Sequence, residues 1–86
     1  MMIKKGFVLR EVADSFVVMK IGGELSFNGM ITLNESGAVI WKGLEDGLDE
    51  NAIAKSLTEE YEIGFEAALA DVKRIVLKLS EAGIIE

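Results

Sequence analysis

The sequence contains no cysteine, no histidine and no proline. Without cysteine there is no disulfide, no thiolate metal site and no iron–sulfur ligation. Without histidine the commonest general base and the commonest zinc ligand are both missing. With no proline and no low-complexity stretch, nothing marks a linker, so residues 1–86 read as a single domain around one modest core. Long apolar runs are also lacking; none approaches the roughly 20 residues of a membrane span. Lys4 and Lys5 open the chain, but Arg10, Glu11 and Asp14 soon interrupt the apolar residues after them, which argues against a signal peptide. The expected location is cytoplasmic, with no membrane partner.

Positive charge is scarce: nine Lys and Arg face fifteen Asp and Glu, for a net charge of −6 and a pI near 4.6. Nucleic-acid binding draws most of its affinity from Lys and Arg neutralising phosphates, so this balance works against it. What the chain has in quantity is apolar side chains, at 50% with a mean hydropathy of +0.31. That is high for a small domain and points to apolar surface kept for a partner.

Catalytic constellations are absent. Ser15, Ser26, Ser36, Ser56 and Ser80 have no histidine to activate them. Gly22-Gly23 is not followed by the Gly-Lys-Ser/Thr of a phosphate loop. The acidic run Glu59-Glu60-Tyr61-Glu62 lacks the spacing of a calcium loop and reads as a solvated helix end. Neither an enzyme activity, a cofactor nor a metal is expected.

The stretch 28–45 organises the chain. Met30, Ile31, Thr32 and Leu33 read as a strand; from Asn34 onward apolar residues recur at helical spacing through Ala38, Trp41 and Leu44. Asn34 is a good N-cap, and Glu35 sits where the helix dipole favours a carboxylate. Upstream, residues 7–12 and 16–21 predict an antiparallel hairpin around a turn at Ala13-Asp14-Ser15. Leu25 and Phe27 fit either a loop or a strand extension, and Asn28-Gly29 either a turn or the opening of the third strand. Downstream, three helices are predicted over residues 35–44, from Asp49 to Tyr61, and from Phe65 to about Ala82. Gly47 and Gly83 stand at two of their ends. Gly37 costs the first helix on the order of 1 kcal/mol against alanine, which suggests close packing. On the third helix, Phe65, Ala68, Leu69, Val72, Ile75, Val76, Leu79 and Ala82 form one broad stripe, bordered by Lys73 and Leu77. Trp41 reads as a core residue. The predicted fold class is α+β and winged helix-turn-helix-like, a three-stranded antiparallel sheet followed by three helices. Its third strand has an open edge unless something covers it.

Leu33-Asn34-Glu35-Ser36-Gly37-Ala38 with Ile40-Trp41 and Leu44 resembles the central motif of the PqqD-like family. Ile53-Ala54, Leu57, Tyr61, Asp71-Val72, Leu79 and Gly83-Ile84 extend the resemblance over nearly the whole chain. It implies a RiPP recognition element: a non-catalytic peptide chaperone. Such an element binds the leader of a ribosomally made precursor peptide and delivers it to a modifying enzyme, often a radical SAM enzyme. By that resemblance the leader adds as a strand at Gly29, Met30, Ile31, Thr32 and Leu33. It then lies against the Leu69, Val72, Lys73, Val76 and Leu77 side of the third helix. Lys73 and Arg74 are the cations available to acidic leader side chains. Quinone-pathway members usually carry a proline near the end of the second strand; its absence here favours the broader recognition role. Two other classes fit the same architecture: a winged-helix DNA-binding regulator and a small homodimeric assembly module. A monomer or weak homodimer is expected of the peptide-binding reading.

Overall fold

The structure, a computed structural model, describes residues 2–20 and 31–85. The expectations placed on residues 21–30, including Gly29 and Met30, lie outside the described residues. The elements are β1 (Phe7–Val12), β2 (Ser15–Lys20), β3 (Ile31–Leu33), α1 (Glu35–Glu45), α2 (Glu50–Glu60) and α3 (Phe65–Glu81).

The sheet is antiparallel with order β1-β2-β3. Side chains directly opposite one another share a face, and the register puts Leu9, Val18 and Ile31 in one cross-strand row, with Phe16 opposite Leu33 in the next. That face meets the helices: Val18 and Leu33 are buried, and Phe7, Leu9, Phe16 and Ile31 pack against them. The other face carries Arg10, Val12, Met19 and Thr32, all exposed. The hairpin turns on Ala13 and Asp14, and Ala13 takes φ +55°. An L-residue reaches that region at a cost, and nothing in the Ala-Asp pair announces it.

The passage from β3 into α1 takes a single residue. Asn34 accepts the Gly37 N–H (2.9 Å) and the Ser36 hydroxyl (3.0 Å) on Oδ1, and the first of these satisfies an amide that the first helical turn leaves open. Gly37 is required by the same junction. A Cβ there would stand 2.9 Å from the Leu33 Cβ, so the glycine lets α1 close onto β3. Gly43 does likewise for α2, where a Cβ would stand 2.7 Å from Ile53 Cγ1.

Asp49 caps α2 through the Ala52 N–H (2.8 Å). Both α1 and α3 end in a left-handed glycine, Gly47 (φ +79°) and Gly83 (φ +78°). At α3 the Gly83 and Ile84 amides return to the Ser80 and Leu79 carbonyls, and at α1 those of Gly47 and Leu48 return to Leu44 and Gly43. This is the Schellman pattern, and it aims the next residue back at the helix. Ile84 is fully buried as a result. The Lys4 N–H donates to its carbonyl (2.8 Å), and Ile3 bridges Ile85, so the two ends of the fold are tied together.

Trp41, Ile40, Leu44, Leu57, Val72 and Leu79 fill the centre. The Trp41 indole N–H is buried without a partner among the described residues. Of the predicted α3 stripe, Ala68, Val72, Ile75 and Leu79 are core, and Leu69 and Val76 are half-buried against it. Phe65 and Ala82 are exposed instead. They sit at the first residue and the C-cap of α3, where the helix overhangs what it packs on. Among the described residues no helix is long and apolar enough to cross a membrane.

Candidate functional site

β3 pairs with β2 along one side, and among the described residues no strand pairs with its other side. In an antiparallel ladder every second residue turns its N–H and C=O away from its neighbour. Among the described residues β3 therefore has unpaired backbone groups along that side. Its three residues divide their side chains between the faces: Thr32 is exposed, while Leu33 is buried and Ile31 half-buried on the core side.

A groove of about 350 Å³ lies between the end of β3 and α3. Thr32, Leu33 and Asn34 line one wall, Arg74, Ile75 and Lys78 the other, with Asp14 and Ser15 of the hairpin closing an end. Leu33 and Ile75, only 2% and 3% exposed, give it an apolar floor. Arg74 and Lys78, both exposed, give it a cationic rim.

Of the ten positions singled out from sequence, Thr32 and Leu33 line this groove, and Ile31 precedes them on the same strand. Val72 is fully buried in the core. Leu69, Lys73 and Val76 fall on the far flank of α3 at 100° per residue, and Leu77, 60% exposed, faces solvent between the two flanks. None of these five helix residues lines the groove. Arg74, Ile75 and Lys78 line it instead. Arg74 was already named from the sequence as a cation for acidic leader side chains, and positions 71, 74, 75 and 78 share its flank.

Two larger depressions lie elsewhere. One of about 460 Å³ lies between β1 and α1, lined by Leu9, Arg10, Glu11, Trp41, Lys42 and Glu45 among others. It flanks the β1 side of the sheet, and its charges balance. The other, about 410 Å³, lies between α1 and α2, with Val39 and Ile53 in its lining and Glu35, Asp46 and Glu60 among its charges. Here the Tyr61 phenol holds its proton more tightly than free tyrosine. Partial desolvation is the main cause, and the Glu35 and Glu60 charges and a hydrogen bond with Glu35 add to it. Among the described residues no cluster of three potential metal ligands occurs.

Among the described residues that line the β3–α3 groove, no hydrogen bond joins a hydroxyl to a carboxylate or an amine. What the groove offers is backbone pairing, an apolar floor and two cations, a set suited to an extended peptide.

The family model described as "Coenzyme PQQ synthesis protein D (PqqD)" matches residues 15–85. The solved structure "TbiB1 in Complex with the TbiA(beta) Leader Peptide" superposes with a TM-score of 0.81 at 22% identity, over 100% of this chain and 95% of that one. "Lasso peptide synthetase B1 complexed with the leader peptide" superposes with a TM-score of 0.79 at 24% identity, over 98% and 94%. At these identities the likeness establishes the fold, three antiparallel strands followed by three helices. No curated protein sequence matched significantly.

Proposed function

This chain belongs to the PqqD family, and from that premise we propose that it binds the leader segment of a ribosomally made precursor peptide by strand addition to β3. The leader backbone pairs with the free edge of Ile31, Thr32 and Leu33. Leader side chains on the inner face enter the groove over Leu33 and Ile75. The observation that carries this reading is the juxtaposition of an unpaired strand edge with an apolar-floored groove. Main-chain hydrogen bonds supply affinity in such a mode, and side-chain pockets supply selectivity. Two structural neighbours were solved with leader peptides bound, which supports the same use here.

The role is non-catalytic. Holding the leader raises the effective concentration of the attached core peptide at a modifying enzyme, and a radical SAM enzyme is the class of partner we propose, in the cytoplasm where precursors are made. The domain works as a monomer or weak homodimer, since a strong dimer through β3 would occupy the docking edge.

The test is titration of a labelled synthetic leader, taken from any short precursor peptide found encoded beside the gene. Leaders N-methylated at single backbone positions are then titrated. Methylation removes a donor from the ligand and leaves the protein's folding untouched. Alternate positions should lose roughly tenfold or more in affinity, on the order of 1.4 kcal/mol each. Uniform tolerance of N-methylation along the leader would remove the strand-addition reading.

A further inference from the structure

Arg74 and Lys78 stand one turn apart on α3, and both line the groove beside β3. Like charges four residues apart disfavour a helix. The chain has fifteen carboxylate side chains against nine cations, yet neither of these two holds an ion pair among the described residues. Asp14 lines the same groove, and Asp71 and Glu81 lie three residues from Arg74 and Lys78 on α3, but none of the three forms an ion pair with either cation. Two exposed cations without an ion pair, outnumbering the one carboxylate of their groove, suit an occupant that brings its own negative charge.

For a docked segment that runs along α3, helix and strand geometry set the spacing of that charge. Four residues of α-helix advance about 6 Å. Two residues of strand advance about 6.6–6.8 Å and return the side chain to the same face. We infer, resting on the leader-binding reading, that the docked segment presents acidic side chains at positions i and i+2 toward α3. One meets the Arg74 guanidinium, whose planar fork suits a carboxylate. The other meets the Lys78 ammonium, and an apolar side chain next along the same face covers Leu33 and Ile75. Arg74 and Lys78 thereby select both the composition and the register of the leader. A nucleic acid would also bring negative charge, but the net charge of −6 opposes it.

The test is titration of the labelled leader, native and with each Asp or Glu changed to its amide, against the wild-type chain and an Arg74→Glu/Lys78→Glu variant. Both substituted side chains are exposed, so folding, checked by circular dichroism, is retained. Replacing each member of one i, i+2 acidic pair should weaken binding roughly three- to tenfold, as for partly exposed charge pairs. The double variant should lose affinity for the native leader and regain it for a leader carrying lysines at those two positions. Lys55→Glu, on the exposed face of α2 and outside the groove, should bind as wild type does. Binding of the native leader with every amide replacement tolerated, or with the double variant unchanged, overturns this inference and leaves leader binding standing. Failure of the native leader to bind at all overturns the leader reading and this inference with it. Salt-sensitive capture of random-sequence duplex DNA in place of the leader does the same.

Discussion

Among the described residues the sheet has two free edges, and the fold treats them differently. β1 is six residues long and β3 three. Beside β1 the groove holds Arg10 with Glu11 and Lys42 with Glu45, so its charges offset one another. Beside β3 the groove holds two cations and one carboxylate over the buried side chains of Leu33 and Ile75. Charged residues along an edge are a common way to discourage strand addition, and β1 carries Arg10 and Glu11 within the strand. In β3 the exposed side chain is the neutral Thr32. The lesson is that a free edge alone does not make a docking site; the side chains beside it decide which edge is guarded and which is left open.

The strongest way to break the comparison is to detach β3 from the helices. Ile75→Ala removes the floor of the groove and should cost roughly 2–5 kcal/mol, as for other large-to-small core changes. Gly37→Val drives a side chain into Leu33 and should cost roughly 1–3 kcal/mol. Urea unfolding measures both, and leader binding should fall with the displacement of β3. A sharper comparison comes from proline at the edges. Of Ile31→Pro and Thr32→Pro, one removes an N–H that serves β2 and should weaken folding; the other removes an outward N–H and should weaken leader binding by roughly tenfold with little loss of stability. Proline at Arg10 or Glu11 of β1 should leave leader affinity unchanged at the position where folding survives. Asn34→Ala should cost about 1 kcal/mol through the lost cap, and loosen the β3–α1 junction without touching β1. The smallest effect is expected at the hairpin. Ala13→Gly relieves the positive φ and should stabilise by about 1 kcal/mol or less, with leader affinity unchanged because β3 is not involved.

Much of this fold was legible in the sequence because local signals and burial agree. Asn34 and Asp49 read as caps and are caps. Gly47 and Gly83 read as helix ends and take the left-handed conformation there. Gly37, unfavourable in a helix, was expected to mark close packing, and Leu33 is what it approaches. The groove was less legible. A helical wheel locates the centre of a buried stripe, here Ala68, Val72, Ile75 and Leu79, but it does not say which flank turns toward the sheet. The family resemblance pointed to the side with Leu69, Lys73, Val76 and Leu77, whereas the groove beside β3 is lined by Arg74, Ile75 and Lys78. That choice depends on how α3 crosses β3, a tertiary property with no periodic trace. The Ala13 turn was legible as a turn but not as a left-handed residue, because the usual glycine or asparagine is missing.

Hydrogen exchange of individual backbone amides, with and without leader peptide, tests the central claim most directly. The account predicts that exchange slows at the outward-facing amide or amides of Ile31, Thr32 and Leu33, while the free-edge amides of β1 are unaffected. Leader binding accompanied by slowed exchange along β1, or by no change at β3, would contradict it.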